Sequence, residues 1–189
     1  MSKADDRGMR GVSAGATGMR PFERSLPMQL MRAREAVMAR FRPHLHARGL
    51  TDQQWRIIRA LNEADRLDIA ELGERCCIHP ASLSRILPKM EEDGLVSRRT
   101  SRHDQRRQQV SLAPRGRRLF AETAPESEAI YAALARAIGP RQLDDLYLAL
   151  ERMLASLAGK QAGKKSSKVA AAALRSPAKR VTPSAKRGG

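Results

Sequence analysis

The residues best placed to do chemistry lie between Pro80 and Arg107. From Pro80 to Asp93 the apolar side chains Leu83, Ile86, Leu87 and Met90 fall at i, i+3, i+4 and i+7, the stripe of a helix buried along one face. The opposite face carries Ala81, Ser84, Arg85 and Pro88, with Ser82 and Lys89 on its flanks. Arg85 on such a face can donate two parallel hydrogen bonds to guanine O6 and N7, and the hydroxyls of Ser82 and Ser84 can reach bases or phosphates. Lys89, a turn deeper, suits a phosphate. A solvated helix face would carry the same residue types, so the neighbouring elements must decide between the two.

The next segment is a charged hairpin. "LVSRRT" and "RQQVSL" alternate as two short strands around the polar loop "SRHDQRR". The hairpin holds Arg98, Arg99, Arg102, Arg106 and Arg107, with Asp104 the one acid opposing them. That much positive charge on a two-strand loop needs a polyanion. The phosphate backbone and the narrow minor groove of A/T-rich DNA are its natural counterparts. Asp104 is expected to buttress an arginine and hold the tip in shape. A helix preceding an arginine-rich wing points to double-stranded DNA.

The surrounding elements must hold these two parts. Ser25 is placed to cap a first helix, with Pro27 in its first turn and Leu30, Val37, Phe41 and Leu45 at helical spacing; Gly49 ends it. Thr51 and Gln54 form a capping-box pattern that opens a second helix to about Glu63, with Trp55, Ile58 and Leu61 inward. A short segment, Arg66 to Asp68, precedes a third helix bearing Ile69, Leu72 and Cys76. A sharp turn around Ile78-His79 leads to the Pro80 helix, which Gly94 stops. Pro114 starts a fifth helix, broken at Gly139-Pro140. A sixth, about Pro140 to Leu157, places Leu143, Leu146, Leu150, Met153 and Leu157 at a 3, 4, 3, 4 spacing, the seam of a helix packed on other helices. Pro88 is the discordant residue: a proline inside the fourth helix implies a bend after Arg85 or a reoriented last turn.

Composition agrees with a nucleic-acid partner. Lys and Arg number 36 against 20 Asp and Glu, for a formal net charge of +16. Residues 1–24 mix Gly, Ser, Ala and charge without periodicity and read as a disordered arm; residues 159–189 form a Lys/Ala/Pro-rich tail with no acid. The tail either adds non-specific DNA affinity or is a silent solvated extension. No apolar run approaches the roughly 20 residues of a membrane span, and no signal-peptide apolar region is present, so a cytoplasmic protein without a membrane partner is expected. Cys76 and Cys77 are adjacent, which excludes a staple between distant segments. They are either small core residues or a redox switch helped by Arg75. His44, His46, His79 and His103 are scattered, and neither a metal spacing, a phosphate loop nor a nucleophile-base pattern occurs. No metal or cofactor is expected, and an enzyme is not.

The segments "LTDQQWRIIRAL", "LGERCCIHPASLSRILPKMEEDGLVSRR" and "HDQRRQQVSLAPRG" resemble the MarR family of winged-helix regulators. Asp104 and Arg106 in the wing, then "SL-x-x-x-G", carry the resemblance, which covers about residues 25–157. It implies a mainly α fold: a winged helix-turn-helix of six helices and a two- to three-stranded wing, with dimerisation helices at about 25–48 and 114–158. It also implies an obligate homodimer, a palindromic operator, autoregulation and derepression by an aromatic carboxylate. "AREAVMARFRP" joined to "LTDQQWRIIRAL" is most similar to repressors of homoprotocatechuate and 4-hydroxyphenylacetate catabolism within the family.

In such regulators the effector lies between the dimerisation helices and the DNA-binding lobe. A ligand carboxylate needs a cation and its ring an apolar slot. Arg34, in register with Leu30, Val37 and Phe41 and with Glu35 on another face, is the expected cation; Met38, Phe41 and Trp55 would line the slot, with Arg56 or His44 as a second polar contact. Alternatively, Arg34 pairs with an acid across the dimer and Trp55 is plain core. Competing with the ligand-responsive repressor is a nucleoid-type architectural protein that binds DNA without sequence preference.

Overall fold

The computed structural model describes residues 18–100 and 107–159. The chain runs from a 3-10 turn at Phe22–Arg24 into α1 (Leu26–His46), α2 (Asp52–Ala64), β1 (Arg66–Asp68), α3 (Ile69–Cys76), α4 (Pro80–Glu92), β2 (Val96–Thr100), β3 (Gln108–Leu112), α5 (Pro114–Ile138) and α6 (Pro140–Gly159). This is the mainly helical, six-helix winged fold that the sequence implies. The 3-10 turn occupies the end of the segment expected to be an unstructured arm. Residues 1–17 and the tail from 160 onward lie outside the described residues.

Local chemistry explains the boundaries. At α2, the Thr51 hydroxyl accepts from the Gln54 amide at 3.2 Å and the Gln54 side chain accepts from the Thr51 amide at 2.9 Å, the reciprocal box read from the sequence. Ser25 occupies the N-cap of α1, but its side chain makes no capping bond. α4 starts with Pro80 at its first position, where a missing N–H costs nothing, and His79 caps it by accepting from the Ala81 amide at 3.3 Å through Nδ1.

The turn between α3 and α4 begins one residue before the expected Ile78-His79. Cys77 holds φ 49° and ψ 48°, the left-handed region that ends a helix, and the Ile78 amide reaches back to the Gly73 carbonyl at 2.9 Å. A cysteine is an uncommon residue there, so composition gave no turn signal.

The three strands form one antiparallel sheet in the order β1-β3-β2. Leu67 and Arg98 both pair with Val110, and Val96 pairs with Leu112. Leu67, Val96, Val110 and Leu112 are buried and complete one core with Leu45, Ile57, Ile58, Leu61, Leu72, Leu83, Leu87 and Met90. At a typical 1.5–3 kcal/mol per fully buried large apolar side chain, the stripe on α4 is among its main anchors.

Pro88 neither breaks α4 nor turns its stripe outward. The helix is continuous from Pro80 to Glu92, and Leu83, Leu87 and Met90 are all buried on either side of the proline. The amide that Pro88 lacks would have bonded the Ser84 carbonyl; Ser84 and Pro88 are both exposed, so water can take its place.

The described residues from 135 onward, the end of α5 and α6, belong to a second unit of the chain. On α6, Leu143, Leu150 and Met153 of the expected seam are half-buried and Leu146 and Leu157 exposed, and none of the helix's described side chains is buried in the single chain. Leu146, Tyr147, Leu148, Leu154 and Leu157 are all exposed, as are Leu26, Leu30 and Met31 of α1.

Candidate nucleic-acid interface

α4 presents the face read from its sequence. With Leu83, Leu87 and Met90 held in the core, Arg85 and Ser84 are exposed and Ser82 is half-buried. Arg85 reaches back with Nε to the Ala81 carbonyl at 3.4 Å, and the Ser84 hydroxyl donates to the same carbonyl at 2.9 Å. Both contacts are weak and local, so the guanidinium can turn toward a ligand at small cost. Lys89, expected to meet a phosphate, is engaged within its own helix: its ammonium lies 3.2 Å from Glu92 and 3.1 Å from Asp93. Those two acids hold its pKa above the ordinary lysine value.

Ser82, Arg85, Ile86 and Lys89 also line one side of a groove of about 340 Å3. Its other side is the start of α2, with Thr51, Gln53 and Gln54. Gln53 was not singled out in the sequence. Its place opposite Arg85 follows only from the packing of α2 against the helix-turn-helix.

In the wing, strand alternation sorts the arginines. Arg98 shares the inward face with Val110, whereas Arg99 is exposed on the other. Arg98 is fully engaged by Glu91 of α4: its amide donates to Oε1 at 3.0 Å, and Nε and Nη2 lie 2.8 Å and 2.6 Å from Oε2. These bonds hold the Glu91 carboxyl below its ordinary pKa. Arg107 lies 3.0 Å from Asp68 of β1. Among the described residues the wing charge is therefore opposed by Glu91 and Asp68, because β1 and α4 flank the hairpin in a way that hairpin sequence alone does not reveal. Arg99 makes no ion pair among the described residues. Arg102, Asp104 and Arg106 lie outside the described residues, as does His103.

The proposed effector residues separate into two places. Arg34 does not sit on the covered side of α1. Its side chain is 54 % exposed and 3.8 Å from Glu35, the residue expected on a different face. The first turns of α1 have no core beneath them in the single chain; Val37 and Met38 are half-buried, and Phe41 is the first buried residue. Trp55 is buried and stacks on Phe120, with centroids 5.8 Å apart and planes at 23°. Phe41 packs against Tyr131 at 4.8 Å. Arg56 donates to the Cys76 carbonyl at 2.5 Å and ties α2 to the end of α3. Cys76 is buried and its thiol is pushed above the ordinary value by that burial, which argues for a core role; Cys77 is exposed.

A cavity of about 80 Å3 opens beside the stacked pair, lined by Trp55, Arg59, Glu63, Phe120, Ala124, Ser127 and Glu128. Arg59 is the cation there. It is half-buried, donates to the Tyr131 hydroxyl at 2.7 Å, lies 5.6 Å from that ring's centre, and makes no ion pair among the described residues. Sequence reasoning passed over Arg59, although it stands four residues after Trp55 and so shares its helix face.

Among the described residues no group of three or more His, Cys, Asp or Glu could hold a metal ion, and no helix is long and apolar enough to cross a membrane.

Residues 48–107 match the family described as MarR. The chain is 40 % identical over 134 residues to the HTH-type transcriptional regulator FarR of Neisseria gonorrhoeae, covering 71 % of this chain and 89 % of FarR. It is 38 % identical over 131 residues to the homoprotocatechuate degradative operon repressor of Escherichia coli, covering 69 % and 88 %. The solved structure of NadR in complex with 4-hydroxyphenylacetate superimposes with a TM-score of 0.62 at 38 % identity, covering 74 % of this chain and 96 % of that one.

Proposed function

Because the chain belongs to the MarR family of transcriptional regulators, we propose that it represses an aromatic-acid catabolic operon of the homoprotocatechuate or 4-hydroxyphenylacetate type, and that an aromatic carboxylate releases it from a palindromic operator. It is a DNA-binding regulator and not an enzyme, as its relatives are. The observation that carries the reading is α4: a helix fixed by a buried stripe, with Arg85 outward and with the wing bound to its side through Glu91. Ser82, Ser84 and Arg85 read or touch the major groove, Lys89 meets a phosphate once its local acids give way, and Arg99, Arg102, Arg106 and Arg107 are the wing's contacts to DNA, with Asp104 buttressing an arginine.

The working form is a homodimer in the cytoplasm. Exposed apolar side chains on α1, and separately on α6, are available to a second copy, and a two-fold protein matches half-sites one helical turn, roughly 34–36 Å, apart. An architectural protein without sequence preference finds no support in these relatives.

For the effector, Arg59 replaces Arg34 as the carboxylate partner, with Trp55 and Phe120 as the ring slot; Phe41 and Met38 serve as packing behind it. A half-buried arginine without an acid partner favours an anion. At about 80 Å3 the cavity is smaller than an arylacetate, so occupancy must widen it. A ligand that binds only the widened form disfavours the DNA-bound state by its difference in affinity. The test is a gel shift on the promoter of the protein's own gene, with 4-hydroxyphenylacetate or 3,4-dihydroxyphenylacetate added. Either acid should release the DNA from the native protein and from Arg34→Ala, but not from Arg59→Ala, which should still bind. Release that survives in Arg59→Ala would reject this site.

A further inference from the structure

Pro88 does nothing for the stability of α4. A proline inside a helix forfeits a backbone hydrogen bond and crowds the turn before it, so an alanine would serve the helix better. Its ring fills no part of the core in return: Pro88 is exposed, while Leu87 and Met90 are buried on the other side. What the ring changes is the chemistry of the outward face. Ser84 and Arg85, one turn earlier, and Lys89 beside it are also exposed. An apolar patch with neither donor nor acceptor is thus set into a polar, cationic surface. Glu92, one turn later, is exposed and acidic, so the stretch of α4 that can lie against DNA ends near Lys89.

Resting on the reading that α4 enters the major groove, we propose that Pro88 is a specificity-determining residue, which selects thymine in the operator by contact of its ring with the C5-methyl group. The major-groove edges of the base pairs are lined by acceptors (N7, O6, O4) and amino donors (N6, N4); the thymine methyl is the apolar feature among them. Pressed on a donor or acceptor, the ring would strip water from it and offer no bond in exchange. Pressed on the methyl, it buries apolar surface. Selection therefore has an attractive and a repulsive part.

The helix also sets the place of that thymine. Arg85 and Pro88 are three residues apart on one face, about 4.5 Å along the axis, little more than the roughly 3.4 Å step between base pairs. The thymine accordingly stands within a base pair or two of the guanine that Arg85 is placed to read.

The test is an anisotropy titration of the full-length protein at physiological salt on a fragment of its own promoter, made once with thymidine and once with deoxyuridine throughout. Uracil pairs as thymine does and lacks only the methyl. The native protein should prefer the thymine duplex by about fourfold for each half-site, the worth of one buried methyl group. Pro88→Ser removes the ring and favours the helix; it should lose that share of the preference by weakening on the thymine duplex alone. Pro88→Val, which returns an apolar side chain, should keep it. Methyl contacts made elsewhere, by Ala81 for example, persist in every variant and cancel in the comparison. Equal binding of the two duplexes by the native protein, or a thymine preference unchanged in Pro88→Ser, overturns the inference. A scrambled duplex separates this from failure of the reading beneath it. If the promoter is preferred over the scrambled duplex and Arg85→Ala reduces that preference, α4 reads DNA and only the role of Pro88 falls. If promoter and scrambled duplex bind equally, both fall together.

Discussion

Glu91 and Arg98 join the two parts of the DNA-binding surface: the carboxylate at the end of α4 takes the amide, Nε and Nη2 of the first inward arginine of the wing. The hairpin is therefore fixed to α4 by charge-assisted bonds as well as by its strands. Removing the carboxylate leaves Arg98 partly buried and unpaired. Glu91→Ala should cost about 1–2 kcal/mol in chemical denaturation and weaken operator binding several-fold. Glu92→Ala, which removes only an exposed partner of Lys89, should fall within about 0.5 kcal/mol of the native protein. Because Arg98 lowers the Glu91 pKa, this stabilisation is complete above the ordinary carboxylate value of 4.5 and is lost as pH falls through the lowered one.

Arg99 should behave as a phosphate contact. It projects from the outer face of β2 and makes no ion pair among the described residues. Arg99→Ala is expected to weaken binding to operator and to random duplex alike and to reduce the slope of log affinity against log salt by about 1. A loss confined to the operator would assign Arg99 to base reading instead.

His44 should make folding sensitive to mild acid. Burial, with a smaller effect from Arg48, pushes its pKa below the ordinary 6.5, against the pull of Glu126. Below 6.5 the unfolded chain binds a proton that the folded protein refuses, so stability is full above that value and falls as pH drops toward the lowered pKa. The melting temperature should fall on going from about pH 7.5 to about pH 5.5. His44→Asn should flatten that part of the profile, and an unchanged profile would refute the assignment.

Gly116, the glycine of the "SL-x-x-x-G" pattern, sits in the first turn of α5 against the corner between α4 and β2. A Cβ there would stand 2.1 Å from the Leu95 carbonyl oxygen and 3.2 Å from the Leu112 side chain. The Leu95 carbonyl is held by the Ala113 amide, which donates to it at 3.0 Å. Gly116→Ala should cost about 3 kcal/mol or more, measured by denaturation; a near-neutral result would mean that this corner is looser than the structure has it.

Much of this was legible in the sequence because it is local. The Thr51–Gln54 box, the Pro80 start and Gly94 stop, the stripe on α4 and the alternation of the wing strands each depend on residues within one element. What escaped depended on contacts across the chain. Glu91 meets Arg98 only through the register of β2 against α4. Cys77 turns the chain where its residue type gives no sign.

Arg34 shows the limit of periodicity most clearly. Its spacing put it on a face with Leu30 and Phe41, but a face can be named without anything to cover it, and in the single chain that end of α1 is open. The same spacing rule applied to α2 would have put Arg59 beside Trp55.

Reading of a particular DNA sequence through α4 is tested most directly by anisotropy titration of the full-length protein. One duplex is a fragment of its own promoter and the other a scrambled duplex of the same length, both at physiological salt. The promoter fragment should bind roughly 10³-fold more tightly, and Arg85→Ala should remove about 1–3 kcal/mol of that preference. Equal affinity for the two duplexes would contradict a sequence-reading role for α4.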